Sequence, residues 1–462
     1  MTSTDVIIIG AGLMGCFTAR QLMKYELGVI VLEKENDVCR GISKANTGII
    51  YPGYDNRPGS NKSRLCVQAS EAFDRLCEEL GVPFNRPGSL MVSYGPKADE
   101  VIRKKYEDGI AGGVKGIRIL SGAEAEAMEP SLRRGISSAL YSETTGTVDP
   151  WELCIAAYEN AGSNGADFRF GCEVTGIGRT DRGFAVYTGG ETYEASAVVN
   201  AAGLYSADIR EMVEAPLIRL RPTAADYIVL DRDVKGGPKH IIFHEGEDGK
   251  GLTLVPAVDG SMLVGPTKRE ADEEEVLAQD MRTSAKGFDT LHALCSLIAP
   301  DLDLGAQIRT FGSLRPDPYH VYSDEDIKDF SVTEDEGLFS LIGIKTPGLT
   351  FANELGRIVA ETVSSYLGKE TLREDFDPCR KAIVRARDLS LEKRAELAGN
   401  DPDYGIVVCR CMDVTKAEIR QAAERGARSF EAVKYRTGAG MGRCQGSRCR
   451  KKIMEIIDGL CD

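Results

Sequence analysis

Four cysteines near the end of the chain have the side chains and the intervals that a metal centre needs: Cys409 and Cys411 in C-R-C, then Cys444 and Cys449 in C-Q-G-S-R-C. Thiolates are the ligands that iron–sulfur clusters take, and a [2Fe–2S] centre takes four. A zinc knuckle spaces the members of each pair by two to four residues, and the one-residue gap at Arg410 is tight for that geometry. Between the pairs, Thr415 and Glu418 stand in capping-box relation at the start of a short helix. Ile419 and Ala422 share one face of it, and Gly426 is its stop. Ser429 opens a second short helix carrying Phe430 and Val433, and the glycine-rich run from Thr437 to Cys444 offers backbone N–H groups to cluster sulfurs. From Tyr404 onward twelve Lys and Arg face seven Asp and Glu, in a chain whose net charge is −14. Arg410, Arg443, Arg448 and Lys451 are placed either to offset the negative charge of a cluster or to form a basic solvated face.

The other end of the chain carries a second constellation. An apolar strand leads into Gly10-x-Gly12-x-x-Gly15, then a helix with Ala19 and Leu22 inward, then a second strand ending at Glu33. Gly10 permits a tight turn, Gly12 lets backbone approach a pyrophosphate, and Gly15 allows close helix–strand packing, with the helix N-terminus facing the phosphates. Glu33 is placed to hold a ribose hydroxyl. The motif alone serves NAD and FAD equally. A reduced flavin holds two electrons and a [2Fe–2S] cluster accepts one at a time, so the two constellations together suggest a dehydrogenase that passes electrons onward rather than to oxygen.

The segment from about Ile406 to Ile457 closely resembles the BFD-like (bacterioferritin-associated ferredoxin type) [2Fe–2S] domain, whose C-x-C, intervening helices and R-T-G-A-G-M-G-R-C-Q-G run all have counterparts here. That resemblance implies Cys409, Cys411, Cys444 and Cys449 as cluster ligands. The runs S-K-A-N-T-G-I-I-Y-P-G-Y-D, A-V-V-N-A-A-G-L-Y-S-A-D-I, G-S-L-R-P-D-P-Y-H and L-I-G-I-K-T-P-G-L-T resemble the D-amino-acid-oxidase-like flavoproteins over about residues 4–370. The nearest branch is that of glycerol-3-phosphate and L-2-hydroxyglutarate dehydrogenases. It implies FAD contacts at Gly10, Gly12, Gly15, Glu33, Ser43, Asn46, Thr47, Val174, Ala202, Gly203, Gly343, Gly348, Leu349 and Thr350. Pro347 near the start of a helix fits the last group, since free N–H groups at a helix N-terminus stabilise negative charge on a reduced flavin.

With 462 residues, 42% of them hydrophobic and 28% charged, the chain has the composition of a globular enzyme with two or three domains. No run of eighteen apolar residues is present, so no transmembrane segment is expected. Met1 to Thr4 lead straight into the first strand, and a cytoplasmic protein follows, peripheral to a membrane only through a partner. Thirteen cysteines, Cys16, Cys154 and Cys295 among them, read as reduced thiols, and the acidic balance argues against nucleic acid. Short β-branched runs separated by Gly, Pro and Asp predict an antiparallel sheet.

The expected architecture is α/β (α+β overall). A Rossmann-type FAD-binding domain (1–80, 145–215 and 331–375) is interrupted by an antiparallel-sheet substrate domain (81–144 and 216–330). A helical linker (376–403), with a helix over 380–397 and a boundary near Asn400 to Asp403, leads to a small helical [2Fe–2S] domain (404–462).

Flavin dehydrogenases take a hydride from carbon beside a hydroxyl or amine, and protein groups hold the substrate and accept a proton. Arg315 is the first choice for gripping an anion, because a guanidinium pairs bidentately with carboxylate or phosphate; a structural ion pair is the rival. Lys345 is a second cation near the flavin or substrate. Relatives commonly place histidine where Tyr51 stands, which leaves Tyr51 as a substrate hydrogen-bond donor and His244 or His320 as candidate bases; His240 and His292 complete the histidines. Arg57, Lys62 and Arg64 form a local positive patch. The reading is oxidation of a small anionic alcohol, glycerol 3-phosphate ahead of a 2-hydroxy acid such as 2-hydroxyglutarate. The alternatives are an amino- or imino-acid dehydrogenase and an electron-transfer or assembly subunit. A second dinucleotide fingerprint is not apparent, so a further protein subunit is expected to accept the electrons.

Overall fold

Val6 to Ile9 are apolar without alternation and all buried, as a strand covered on both faces must be. In the computed structural model, which describes residues 2–460 except 233, 246–250 and 272–281, they end the first strand, Thr2–Ile9. It lies between two parallel neighbours, Thr192–Asn200 and Val29–Glu33. Asp167–Phe170 extends the sheet beyond Val29–Glu33, and Leu338–Ile342 runs parallel to the last residues of Thr192–Asn200. The first half of Thr192–Asn200 pairs instead with an antiparallel meander, Gly183–Thr188 and Val174–Thr180. Parallel neighbours need long crossovers, which is how segments so distant in sequence share one sheet.

The first crossover is the helix Leu13–Leu22, almost wholly buried between the helices Pro150–Ser163 and Gly348–Tyr366. Gly356 makes the second contact close: a Cβ there would stand 2.9 Å from the carbonyl carbon of Phe17.

The longest insertions build a nine-stranded sheet around Ser89–Ser93, Ser138–Ser142, Ile241–His244, Leu252–Pro256, Met262–Val264 and Thr223–Leu230, the last paired with Gln307–Arg315. Most pairs are antiparallel, but Ile241–His244 runs parallel to Ser89–Ser93, a departure from the all-antiparallel expectation. That pair joins two separate insertions rather than a hairpin, so no turn imposes its direction. The helix Ala285–Ile298 covers one face, seating Leu291, Cys295 and Ile298 on Leu230, Leu254 and Leu90. Stretches 246–250 and 272–281 of this expected substrate domain lie outside the described residues. Among the described residues no helix is long and apolar enough to cross a membrane.

The chain divides into two compact units, Met1–Pro378 and Cys379–Asp462. The second begins well before the boundary expected near Asn400. The helix expected over 380–397 is also absent in its first half: a single short turn occupies Ala386–Asp388, and the helix is Leu391–Asn400. Ser390 sets that start, its hydroxyl accepting the N–H of Lys393. Residues 380–390 form no α-helix because they pack on the cysteine-bearing part, with Ala386 buried under Tyr404 and Ala417. Arg425 reaches back to the carbonyl of Lys381 (2.7 Å), and Arg394 pairs with Asp413.

Beyond them, Thr415 and Glu418 form the expected capping box on Lys416–Glu424, and Ser429 caps Phe430–Thr437. A third helix, Arg450–Asp458, starts without a side-chain cap and so without a signal in the sequence. A larger side chain at Ala386 would overpack against Tyr404 and Ala417, so Ala386→Leu should cost about 1–3 kcal/mol. Limited proteolysis should then cut between residues 380 and 403 while leaving the first unit intact.

Candidate active site and cluster site

A cleft of about 2000 Å³, counting space continuous with solvent, opens at the C-terminal ends of the parallel strands of the first unit, where ligands of such sheets bind. One end is the glycine loop. Gly10 sits at φ 100°, and a Cβ on it would be 2.7 Å from the carbonyl oxygen of Ala201. A Cβ on Gly15 would be 1.9 Å from the carbonyl oxygen of Gly10, so only glycine lets the helix settle on the strand. Gly12 leaves its surroundings open save for Ser43 Oγ.

Ser43 accepts the N–H of Leu13 at 3.1 Å, and Asn46 spans Ser43 O and the N–H of Gly48. Glu33 lines the cleft, but both its oxygens already accept backbone N–H groups, from Ala11 at 2.6 Å and Glu35 at 2.9 Å. Burial pushes its carboxyl upward against those two hydrogen bonds. Glu33 thus braces the glycine loop as well as facing the site.

Ser43, Asn46, Thr47, Val174, Ala202, Gly203, Gly348 and Leu349 line the same cleft. Gly15, Gly343 and Thr350 do not, and serve its walls. A Cβ on Gly343 would run into the Pro318 ring at 2.4 Å, and Thr350 Oγ1 accepts the N–H of Tyr51 at 3.0 Å. The open glycine cradle at the strand ends fits a dinucleotide such as FAD.

At the far end of the cleft stand Tyr51, Tyr227, Ser313, Arg315 and Lys345, walled by Pro266, Leu314 and Pro316. The Arg315 guanidinium has no hydrogen-bond or ion-pair partner among the described residues, which disfavours the structural-pair alternative. Lys345 is held by Asp317, whose carboxylate also accepts the hydroxyl of Thr223 at 2.6 Å. Burial raises Asp317, but its bonds to Lys345 and Thr223 outweigh that and hold it below the usual carboxylate range. Burial first, then the Asp55 carboxylate, pushes the Tyr51 phenol well above its ordinary range, against the opposing charge of Arg315. Tyr51 is accordingly a hydroxyl donor and not a base at neutral pH.

The two candidate histidines lie elsewhere. His320 is exposed at the end of Pro318–His320, and His244 packs on Tyr94 at 5.8 Å; neither lines the cleft. His240 is bound to Glu129 at 2.6 Å. Of the basic loop, Lys62 is buried and donates to the carbonyl of Lys328. Tyr227, stacked on Phe311 at 4.6 Å, and Asp317 escaped the sequence reading. The alternating strand around Tyr227 gave no hint of which face meets the cleft, and Asp317 stands beside Arg315 without a motif of its own.

In the second unit the four cysteines form two pairs. Cys411 and Cys444 bring their sulfurs to 3.5 Å, and Cys409 and Cys449 lie near one another, both buried. Among the described residues no three ligand side chains converge on one ion. Two thiolate pairs instead suit two irons, and four thiolates are what a [2Fe–2S] cluster takes.

The N–H of Gly440 points at Cys409 Sγ at 3.4 Å. Burial raises Cys444, yet N–H groups of Arg448 and Gly446 and the Cys411 thiol outweigh it and draw the thiol below its ordinary range. Cys449 is pushed up to about 12, by burial first and then by Cys409. Gly440 and Gly446 let the loop close on Phe430, whose ring would lie 2.5 Å from a Cβ at either. The donor set fits the cluster.

Residues 5–362 match the FAD dependent oxidoreductase family, and residues 407–459 match the BFD-like [2Fe-2S] binding domain. The chain belongs to that oxidoreductase family. It is an FAD-dependent dehydrogenase that carries a [2Fe–2S] domain. The glycerol 3-phosphate dehydrogenase of Caloramator mitchellensis is 37% identical over 456 residues, 98% of this chain and 93% of that protein. One subunit of the anaerobic glycerol-3-phosphate dehydrogenase from Escherichia coli K12 is 26% identical, over 98% of this chain and 88% of its own length. Among solved structures, the FAD-bound L-alpha-glycerophosphate oxidase of Mycoplasma pneumoniae superposes with a TM-score of 0.74 at 24% identity. It covers 82% of this chain and 99% of that one, a likeness of fold.

Gly15→Val should purify without flavin and melt at a lower temperature, as absorbance at the flavin band and a thermal scan will report. Asp317→Asn removes the anchor of Lys345 and should lower kcat/KM roughly tenfold, with Asp317→Glu regaining part. Because the folded state lowers the Asp317 pKa, its stabilising link is complete above about pH 4 and is lost as pH falls further. A pH–KM profile that steepens below that point, and does so only with Asp317 present, checks it.

Proposed function

We propose that this chain oxidises glycerol 3-phosphate at its secondary hydroxyl and passes the electrons singly through a [2Fe–2S] cluster to a protein acceptor. The observation that carries this is the 37% relative, a glycerol 3-phosphate dehydrogenase, which matches through both the dinucleotide unit and the cysteine unit. Arg315, whose guanidinium has no ion-pair partner among the described residues, stands at the far end of the cleft and supports an anionic substrate. Flavin, when bound, would accept the hydride that leaves carbon, and the hydroxyl proton would leave to solvent through the open mouth of the cleft.

The residues of the chain do the rest. Arg315 grips the phosphate bidentately, since its planar fork matches two anionic oxygens. Lys345, aimed by Asp317, and the protonated Tyr51 would donate to substrate oxygens and fix the orientation of the reacting carbon. Leu314, Pro266 and Pro316 exclude water, which strengthens those contacts. Cys409, Cys411, Cys444 and Cys449 would hold the cluster, and the N–H groups of Gly440, Gly446 and Arg448 are directed at their thiols.

The acceptor is a second subunit. The relatives in Escherichia coli and Haloferax volcanii are named as subunits of anaerobic enzymes, which supports a heteromeric complex. A 2-hydroxy acid is the second reading, favoured by the human mitochondrial L-2-hydroxyglutarate dehydrogenase at 29% identity over 57% of this chain.

Anaerobic mixing with each substrate separates them. Glycerol 3-phosphate should bleach the flavin absorbance, and bleaching by L-2-hydroxyglutarate in its place would sink the proposal. Arg315→Ala should raise the KM for glycerol 3-phosphate roughly a hundredfold while flavin stays bound. In Cys444→Ser, bleaching should persist while electron delivery to a one-electron acceptor is lost; unchanged delivery would remove the cluster from the route.

A further inference from the structure

The two cysteine pairs differ sharply in exposure. Cys409 and Cys449 are each 1% exposed, whereas Cys411 is exposed and Cys444 half-buried. A cluster held by this set therefore presents one edge outward, the edge of Cys411 and Cys444. Arg410, Arg443 and Arg448, all exposed, each directly adjoin a ligating cysteine in sequence. The helix that leaves Cys449 adds Arg450, Lys451 and Lys452, also exposed.

Among the described residues the acidic neighbours are Asp413, taken by Arg394, Glu431, which reaches Arg450 at 4.0 Å, and Glu455, which reaches Lys451 at 3.9 Å. The chain as a whole carries −14, so this basic rim is a local reversal of sign around a redox edge. Surface charge of one sign steers partners of the other and raises their encounter rate steeply at low salt.

We propose that the Cys411/Cys444 face, rimmed by Arg410, Arg443 and Arg448, is the docking surface for an acidic one-electron carrier protein. The carrier meets the rim and takes one electron from the exposed edge; the cluster is oxidised by one electron and the carrier reduced by one. This deepens the relay reading above and rests on it.

Two copper or haem proteins of opposite charge serve as probes: acidic plant plastocyanin and basic mitochondrial cytochrome c. The flavin- and cluster-loaded chain, reduced anaerobically with glycerol 3-phosphate or dithionite, should deliver electrons faster to plastocyanin at low salt. That advantage should fall more than tenfold between about 10 and 300 mM salt. The double variant Arg410→Glu, Arg443→Glu should slow plastocyanin and speed cytochrome c, with flavin bleaching unchanged. Binding of oxidised plastocyanin, followed by NMR line broadening without turnover, should weaken in parallel. Equal slowing toward both probes would mean that the arginines tune the cluster potential and would overturn docking. Indifference to salt and to charge reversal would overturn it as well. Loss of delivery in Cys444→Ser with plastocyanin still bound separates failure of the relay from failure of the surface.

Discussion

The contact between Gly15 and the carbonyl of Gly10 governs the first unit. With 1.9 Å between that oxygen and the place a Cβ would occupy, any larger residue lifts the helix Leu13–Leu22 off its strand. That helix is the buried centre of the layer, wedged between Pro150–Ser163 and Gly348–Tyr366, and its first N–H groups open onto the cleft. Glu33 reinforces the same point by taking the N–H of Ala11. Packing and binding therefore depend on one absence of side chain, a common arrangement where backbone must meet phosphate.

From that fixed end the cleft grades in chemistry. The nucleotide end is backbone, glycine and small polar groups held by one another, as with Ser43, Asn46 and Leu13. The far end offers side chains: a guanidinium unpaired among the described residues, an anchored ammonium, and a phenol kept protonated by burial. Such a set binds an anion and donates hydrogen bonds, and it includes no histidine among the described residues lining it. Asp317 matters because an ammonium on a flexible stem is a poor positioning device until something orients it.

Local signals were legible in the second unit because they act within a few residues. The Thr415–Glu418 box and the Ser429 cap each follow from one hydroxyl near one N–H. The stretch 380–390 misled, since helix propensity favours it and only Tyr404 and Ala417, distant in sequence, keep it from an α-helix at Ala386. His244 and His320 misled likewise: their residue type suits proton transfer, but their strands carry them away from the cleft.

Glycine spacing at one end of the chain and cysteine spacing at the other specify the two cofactor sites, because both are requirements of backbone and thiolate chemistry that hold in any surroundings. The charge contrast between the acidic chain and its basic end is likewise written in residue order. Only in the folded chain does the Arg315 guanidinium face the cleft and Asp317 hold Lys345, and only there does one cysteine pair reach the surface while the other is buried. Pairing and burial depend on what the rest of the chain brings within a few ångströms, and such neighbours are not encoded in local spacing.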